Sequence, residues 1–201
     1  MPIALNLLVV LFIAFSYYKL SGVPVTNNEI LSQFIAMKGG DKWVVAELNT
    51  TEYIHRNSSF KYLDIPLQYA DLNLTLQVSF NYYLKLTELD FKMVGDSIMF
   101  RVPDLYLVTP VAFESASFKP ICHASWFSSC KSIQAELMLV LSTELASKGR
   151  EQIPSIYDVA AKALADNFYQ FAKAGKLDRQ FKTVTVKFEK EGGPSQRMFN
   201  Y

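Results

Sequence analysis

A strict alternation of apolar and polar side chains between residues 72 and 87 constrains the fold more than any other feature of this chain. The odd positions carry polar groups, whereas the even positions are all apolar: Leu72, Leu74, Leu76, Val78, Phe80, Tyr82, Leu84 and Leu86. Successive side chains of a strand point to opposite faces of a sheet, and a helix would scatter these leucines around its axis. The pattern therefore predicts a long strand of an antiparallel sheet, with one buried face and one wet face.

The alternation changes phase after Leu86, and this predicts a hairpin. The next apolar positions are odd-numbered, which indicates a bulge or bend near Thr87 and Glu88 that re-aims the side chains. Gly95-Asp96 then supplies a turn, and alternation returns at Ile98, Phe100 and Val102. Pro103 has no amide hydrogen to donate, so it ends the return strand.

The last third of the chain changes to a helical period and predicts two helices. The first stripe ends at Gly149 and consists of Ile133, Leu137, Val140, Leu141 and Leu145. The second ends at Gly175 and consists of Tyr157, Ala160, Ala161, Leu164, Phe168 and Phe171. Pro154-Ser155 followed by Asp158 resembles a helix start whose side chains accept from free amides. We expect both helices to pack on the apolar face of the long strand.

The remaining segments complete a predicted α+β domain over residues 26–190. A short helix begins at Thr26 or Asn27 and ends at Gly39-Gly40. Two extended segments follow, at residues 43–48 and 53–62, divided by polar residues. A last strand covers residues 184–188, and we expect residues 191–201 to form a flexible polar tail.

The N-terminus predicts a membrane segment within residues 1–25. Residues 2–18 contain no charged side chain, and as a helix they would be about 26 Å long, close to the ~30 Å hydrocarbon layer. Lys19 can reach the headgroups, which favours an uncleaved single-pass anchor helix. A cleaved signal peptide is the alternative, because Ala14-Phe15-Ser16 has the small-x-small form of a cleavage site.

Charge and composition exclude some classes of partner. The chain has 20 Lys and Arg against 19 Asp and Glu, so it lacks the basic surface that binds nucleic acid. Half of its residues are apolar, which is enough for a sizeable core and excludes disorder of the whole chain.

The chain has two cysteines, Cys122 and Cys130, which bracket a short loop. This spacing suits a disulfide formed in an oxidising compartment, and it leads us to expect a periplasmic domain. Two free, buried thiols remain an equal alternative. Lys19 points the other way, because positive flanking charge is usually retained in the cytoplasm.

Three stretches of this sequence resemble the membrane-anchored bacterial family known as domain of unknown function 4230. They are Val45–Tyr53 (Val-Ala-Glu-Leu-Asn-Thr-Thr-Glu-Tyr), the strand, Gly-Asp turn, strand and proline of Leu86–Pro103, and the Ala-rich helix of Asp158–Ala174. The resemblance covers residues 27–190 and implies a membrane-tethered layout. It implies no activity and carries over no functional residues.

No group of residues predicts catalysis or a bound cofactor. The two histidines, His55 and His123, lie outside any catalytic motif. His123 with Cys122 and Cys130 could supply three zinc ligands, but the paired spacing of structural zinc sites is missing.

Two other motifs have ordinary structural explanations. Glu88 and Asp90 would share a strand face, as paired carboxylates can, although such a face is normally just solvated. Gly39-Gly40-Asp41-Lys42 lacks the order of a phosphate-binding loop, and the end of a helix explains its glycines.

These observations lead us to expect a membrane-tethered, non-enzymatic module that binds or assembles with a protein partner at the membrane. The alternative is a carrier of lipid or another apolar ligand, which would lie against the apolar sheet face. The two helices need that face to bury their own stripes, so the module is the favoured interpretation.

Overall fold

The computed structural model describes residues 27–62, 65–125, 128–175, 181–191 and 196–201. Short 3₁₀ turns at Leu86–Glu88 and Ser115–Ser117 interrupt its regular elements. In chain order these are α1 (Asn27–Met37), β1 (Lys42–Tyr62), β2 (Ile65–Lys85), β3 (Asp90–Val94), β4 (Ser97–Val102), β5 (Tyr106–Leu107), β6 (Ala112–Phe113), β7 (Lys119–Ala124), α2 (Cys130–Glu151), α3 (Ile153–Ala174), β8 (Thr183–Phe188) and β9 (Gln196–Asn200).

The strands form two sheets, and the fold is α+β as predicted. In sheet A, β1 pairs with one edge of β2, and β5, β6 and β7 pair with the other edge. Sheet B has the order β3-β4-β8-β9, in which β4 and β8 are parallel and the other pairs antiparallel. The expectation of one antiparallel sheet is therefore wrong, because the 3₁₀ turn at Leu86–Glu88 leads the predicted hairpin, β3–β4, into a separate sheet.

Strand β2 confirms the alternation. Its even positions from Leu72 to Leu84, together with Leu86 just after it, are at most 2% exposed, whereas the odd positions are exposed or half-buried. The predicted change of phase is also present: the 3₁₀ turn follows Lys85, after which Leu89 and Phe91 are buried. Gly95 makes the hairpin turn with a φ of +64°, which a residue without Cβ adopts at little cost.

Strand β1 is one continuous strand, not the two predicted segments. The polar residues that suggested a break, Asn49, Thr50 and Thr51, pair with Ser79, Val78 and Gln77 of β2. Pairing with a long neighbouring strand holds this stretch extended, so β1 does not depend on its own apolar content to persist.

Helix α1 follows its prediction at its core-facing positions and at its end. Ile30 and Phe34 are buried, while Met37, predicted on the same face, is 51% exposed. Gly39 has a φ of +77°, and its amide donates to the carbonyl of Ala36, which completes the last turn.

Helix α2 packs on the apolar face of sheet A, but Gly149 does not end it. Ile133, Leu137, Leu141 and Leu145 are buried, and Val140 is 40% exposed. A Cβ on Gly149 would lie 2.7 Å from Phe80 Cδ1 and 2.8 Å from Leu107 Cδ2. The glycine therefore lets the helix approach the sheet closely, and the helix continues to Glu151.

Helix α3 contacts β1 of sheet A as well as β8 and β9 of sheet B. The prediction that both helices lie on one sheet face is therefore wrong. Pro154 lies in its first turn, but the predicted side-chain caps are wrong. Ser155 Oγ donates to the carbonyl of Gln152, and Asp158 binds Arg197 instead of the helix amides.

The predicted tail over residues 191–201 contains strand β9, which pairs with β8. Alternation is present in it, because Arg197 and Phe199 are half-buried while Gln196, Met198 and Asn200 are exposed. The polar composition concealed this edge strand, whose core-facing side chains include an arginine neutralised by carboxylates.

The predicted membrane segment at residues 1–25 lies outside the described residues. Within the described ranges, the helices are all too short or too polar to cross a bilayer.

Candidate interaction surface

Sheet A exposes a broad face on the side opposite α2. We call this surface the polar face, and it consists of Asn49, Thr51, Tyr53, His55 and Asn57 of β1, Asp71, Asn73, Thr75, Gln77, Ser79 and Asn81 of β2, and Lys119, Ile121 and His123 of β7. Each of these residues is exposed or half-buried. Hydroxyl and amide groups dominate the surface, whose charged side chains are Asp71 and Lys119, with Glu47 beside it opposite Asn81. It therefore suits contacts made by neutral hydrogen bonds.

Both histidines lie at one end of the polar face. His55 Nδ1 is 2.9 Å from Asn73 Oδ1, and Asn73 Nδ2 donates to Asp71 Oδ1 at 2.9 Å. His55 Nε2 is 3.7 Å from Asp71 Oδ2, and His123 stands opposite Asp71 in the β2–β7 register. Two histidines 68 positions apart could not be placed together from local pattern, because their proximity depends on β2 pairing with both β1 and β7.

The cysteines cannot act with His123 as zinc ligands. Cys122 and Cys130 form a disulfide that ties β7 to the first residue of α2, so neither offers a thiolate. In the part of the chain that the structure describes, no three His, Cys, Asp or Glu residues are placed to hold a metal ion.

The carboxylates considered from sequence, Glu88 and Asp90, do not act as a pair. Glu88 is in the 3₁₀ turn, where Lys85 Nζ and the Tyr106 hydroxyl each donate to it at 2.8 Å. The bond from Lys85, followed by that from Tyr106, lowers the pKa of Glu88. Asp90 begins β3 and is exposed. Glu88 is thus held as an anion that fastens the end of β2 to β5.

A shallow groove of about 190 Å³ lies between β1 and α2. Its walls are Arg56, Asn57, Ile133, Glu136, Leu137 and Val140, and Arg56 also forms an ion pair with Glu144 at 2.5 Å. Pockets for drug-sized ligands are roughly 300–1,000 Å³, so this groove is too small for an acyl chain with its headgroup.

A second charged cluster fastens sheet B. Arg197 makes a two-pronged bond to Glu191, at 2.6 and 2.5 Å, and a further bond to Asp158. Its guanidinium lies 5.9 Å from the ring centre of Tyr157 and 6.0 Å from that of Phe188. The bonds to Glu191 raise the pKa of Arg197, so the side chain stays charged and serves to hold β9.

Comparison with known proteins gives no relative from which a function could be transferred. No protein-family model, no curated protein and no solved structure matches this chain, and the resemblance noted from sequence stays a prediction.

Proposed function

We propose that this protein is a membrane-tethered, non-enzymatic module that binds or assembles with a protein partner through sheet A. The contrast between the two faces of that sheet carries the proposal. One face is sealed by α2 and is at most 2% exposed from Leu72 to Leu84 of β2, whereas the other presents the hydroxyl and amide groups of β1 and β2. A sheet that is open on one side offers a preformed, rigid surface for a partner.

The same contrast weighs against the alternative of a lipid carrier. Gly149 brings α2 so near to β2 that a single added carbon would meet Phe80 and Leu107. The groove of about 190 Å³ beside Arg56 lies at the edge of this packing. An acyl chain would have to displace the helix, and the closely packed interface that would be lost opposes this.

Two observations support placement at the outer side of a membrane. The uncharged run at residues 2–18 is almost long enough to span the hydrocarbon layer. The disulfide between Cys122 and Cys130 suits an oxidising compartment such as the periplasm.

Photo-crosslinking of the full chain in its native membrane tests the proposal. A photoreactive residue at Gln77, on the polar face, should give a discrete adduct with a partner protein. The matched control is Lys162, which is exposed on α3 with its side chain 65% accessible, and it should give none. Equal labelling from both positions would contradict a partner surface on sheet A.

Native mass spectrometry of residues 23–201 separates the module from the carrier. A binding module should be detected at the mass of the protein alone, without a bound ligand. A stoichiometric bound lipid would favour the carrier and overturn the proposal.

A further inference from the structure

Among the described residues no strand pairs with the outer edge of β1, and the hydrogen bonds of β2 reveal which backbone groups this edge presents. Gln77 uses its amide to reach Ser117 Oγ and its carbonyl to accept from Glu114, so both groups point away from β1. Thr51 stands opposite Gln77. Facing residues of an antiparallel pair either exchange both bonds or neither, so Thr51 also directs its amide and carbonyl away from β2.

The same orientation recurs at every second residue of β1. The register is unbroken from Ala46 to Phe60, so Tyr53, His55 and Asn57 share the orientation of Thr51. A hydrogen bond of Lys148 is consistent with this outward orientation, because its Nζ donates to the Tyr53 carbonyl at 3.3 Å. Of the described segments, only β2 pairs with β1, and no other backbone group bonds to this edge. An open edge of this kind is a template for another strand.

We propose that this edge pairs with the same edge of a second copy of the chain, antiparallel and about a two-fold axis at Ile54. Pairing requires the outward-directed odd residues to face one another, which restricts the two-fold axis to a residue position. An axis at Ile54 pairs Tyr53 with His55 of the second copy, and Thr51 with Asn57. The two sheets A would then join into one.

The charged residues of β1 favour this register over the adjacent registers. With the axis at Ile54, Glu52 faces Arg56 of the second copy, twice by symmetry. An axis at Glu52 or at Arg56 would set like charges directly opposite each other, and an axis at Tyr53 or His55 would set a charge opposite Ile54. Of the registers centred on residues 52 to 56, only the one at Ile54 brings opposite charges together.

Glu52 and Arg56 are already held by ion pairs within each copy of the chain. Lys148 binds Glu52 at 2.8 Å and Glu144 binds Arg56 at 2.5 Å, all on the side facing α2. Pairing would extend these bonds into a row of alternating charge, Lys148, Glu52, Arg56 and Glu144, with the last two from the second copy. Glu52 and Arg56 would then each have an opposite charge on both sides.

A second copy is the occupant that the membrane favours. This step rests on the proposed function, because two copies tethered to one membrane meet at a high effective concentration. A two-fold interface uses the same patch twice and closes on itself, so residues 46–62 of β1 would no longer be open to a further strand.

Cysteine crosslinking of the full chain in membranes tests the pairing. A mixture of T51C and N57C chains should form a covalent dimer, because these positions face each other as a hydrogen-bonded pair. Either variant alone should form none, since like positions would then stand six residues apart, about 20 Å along the strand. The native disulfide is the same in every sample and serves as internal control.

The outcomes separate this inference from the proposed function. A mixture that crosslinks no better than either single variant overturns the pairing, and so does a T51C adduct with a different protein. If the Gln77 photo-adduct persists in that case, the binding role stands without the homodimer. If neither a dimer nor a Gln77 adduct forms, both proposals fail.

The charged pair gives an independent measurement. Replacing Arg56 by glutamate should shift the full chain in detergent from dimer to monomer by mass photometry, because like charges then face each other. The fourfold variant E52R/R56E/E144R/K148E restores opposite charges both within each copy and across the same register, and it should recover the dimer. A fourfold variant that remains monomeric while its circular dichroism is unchanged would contradict the proposed register.

Discussion

Sheets A and B both bury apolar side chains, but their strands are paired and covered differently. In sheet A, two strands of 21 residues follow each other in sequence and pair over their whole length, with one face against α2 and the other in water. In sheet B, β8 lies between a parallel and an antiparallel neighbour, and it buries Val184, Thr185 and Val186 in succession. The sequence of β8 alternates as that of β2 does, but its burial does not, because Thr185 is covered as well.

The two regions also differ in what fills their cores. The apolar face of sheet A is mainly aliphatic, with Gly149 setting its close contact to α2. Near sheet B, Phe168 of α3 packs against Phe34, Phe91 and Phe100, with ring centres 5.3, 5.8 and 4.9 Å apart. Sheet A is thus built from a local hairpin, whereas sheet B depends on contacts between distant segments.

The largest expected effect concerns the two faces of β2. Phe80 is fully buried, so Phe80→Asp places an unpaired carboxylate in the core at a cost of several kcal/mol, comparable to the total stability of a domain. Gln77→Asp, on the polar face, should change the stability by about 0.5 kcal/mol or less. Urea denaturation of both variants measures the difference, and equal losses would show that β2 is covered on both faces.

In strand β8, a substitution by aspartate should be destabilising on both faces. Val186→Asp and Thr185→Asp both bury a charge, since these residues are 0% and 6% exposed. We expect each to lower the free energy of unfolding by about 3 kcal/mol or more. A Thr185→Asp protein as stable as Gln77→Asp would remove the distinction between the two sheets.

The disulfide should stabilise the join between β7 and α2. Replacing Cys122 and Cys130 together by serine releases a loop with a sequence separation of 8. Closing so short a loop is worth about 2–3 kcal/mol in the chain-entropy view, so we expect a loss of that size in the unfolding free energy. Thiol labelling of denatured, unreduced protein from intact cells is the companion test, and full labelling of both cysteines would show that the bond is absent there.

Arg197 should matter more than an ordinary surface cation. Its side chain is 17% exposed and binds Glu191 and Asp158, so Arg197→Ala removes charge-assisted hydrogen bonds from two carboxylates, at about 1.5–3 kcal/mol. Lys182→Ala is the matched control, because the Lys182–Asp96 pair is 73% and 52% exposed and should contribute below ~1 kcal/mol. Similar thermal shifts for the two variants would refute the anchoring role of Arg197.

The smallest effect concerns Tyr82, a phenol that sheet A buries. The Tyr82 hydroxyl donates to the Gly149 carbonyl at 2.9 Å, and Tyr82→Phe should cost about 1 kcal/mol. Burial raises the pKa of Tyr82 to about 12, above the value near 10 of an unfolded chain. Its stabilising contribution is therefore complete below pH ~10 and is lost as the pH rises toward 12. Denaturation between pH 9 and 12 should show a shallower alkaline loss in Tyr82→Phe than in the wild type.

The fold was predictable from the sequence where it depends on neighbouring residues, and it was not predictable where distant segments pair. The alternation of β2, the phase change after Leu86 and the Gly95 turn depend on neighbouring residues, and all three were predicted correctly. The parallel pairing of Phe100 with Val186 joins segments far apart in the chain, which local periodicity does not encode. Strand β9 was missed because the partner of its Arg197 is a carboxylate instead of an apolar surface.

The candidate surface was predictable only in part. The wet face of β2 followed from its odd-numbered polar residues. Placing His55 and His123 beside Asp71 requires the registers of both β1 and β7 against β2. The free edge of β1 could not be predicted either, because its polar centre at Asn49–Thr51 was interpreted as a break.

Residue-resolved amide hydrogen exchange along β1 tests the central claim, which is that its odd residues present a free, pairing-competent edge. In dilute protein, the amides of Thr51, Tyr53, His55 and Asn57 should exchange rapidly, while those of Glu52, Ile54 and Arg56 are protected by β2. Raising the concentration should protect the odd amides as a second copy binds. Protection of every amide at all concentrations, or rapid exchange of every amide, would contradict the account.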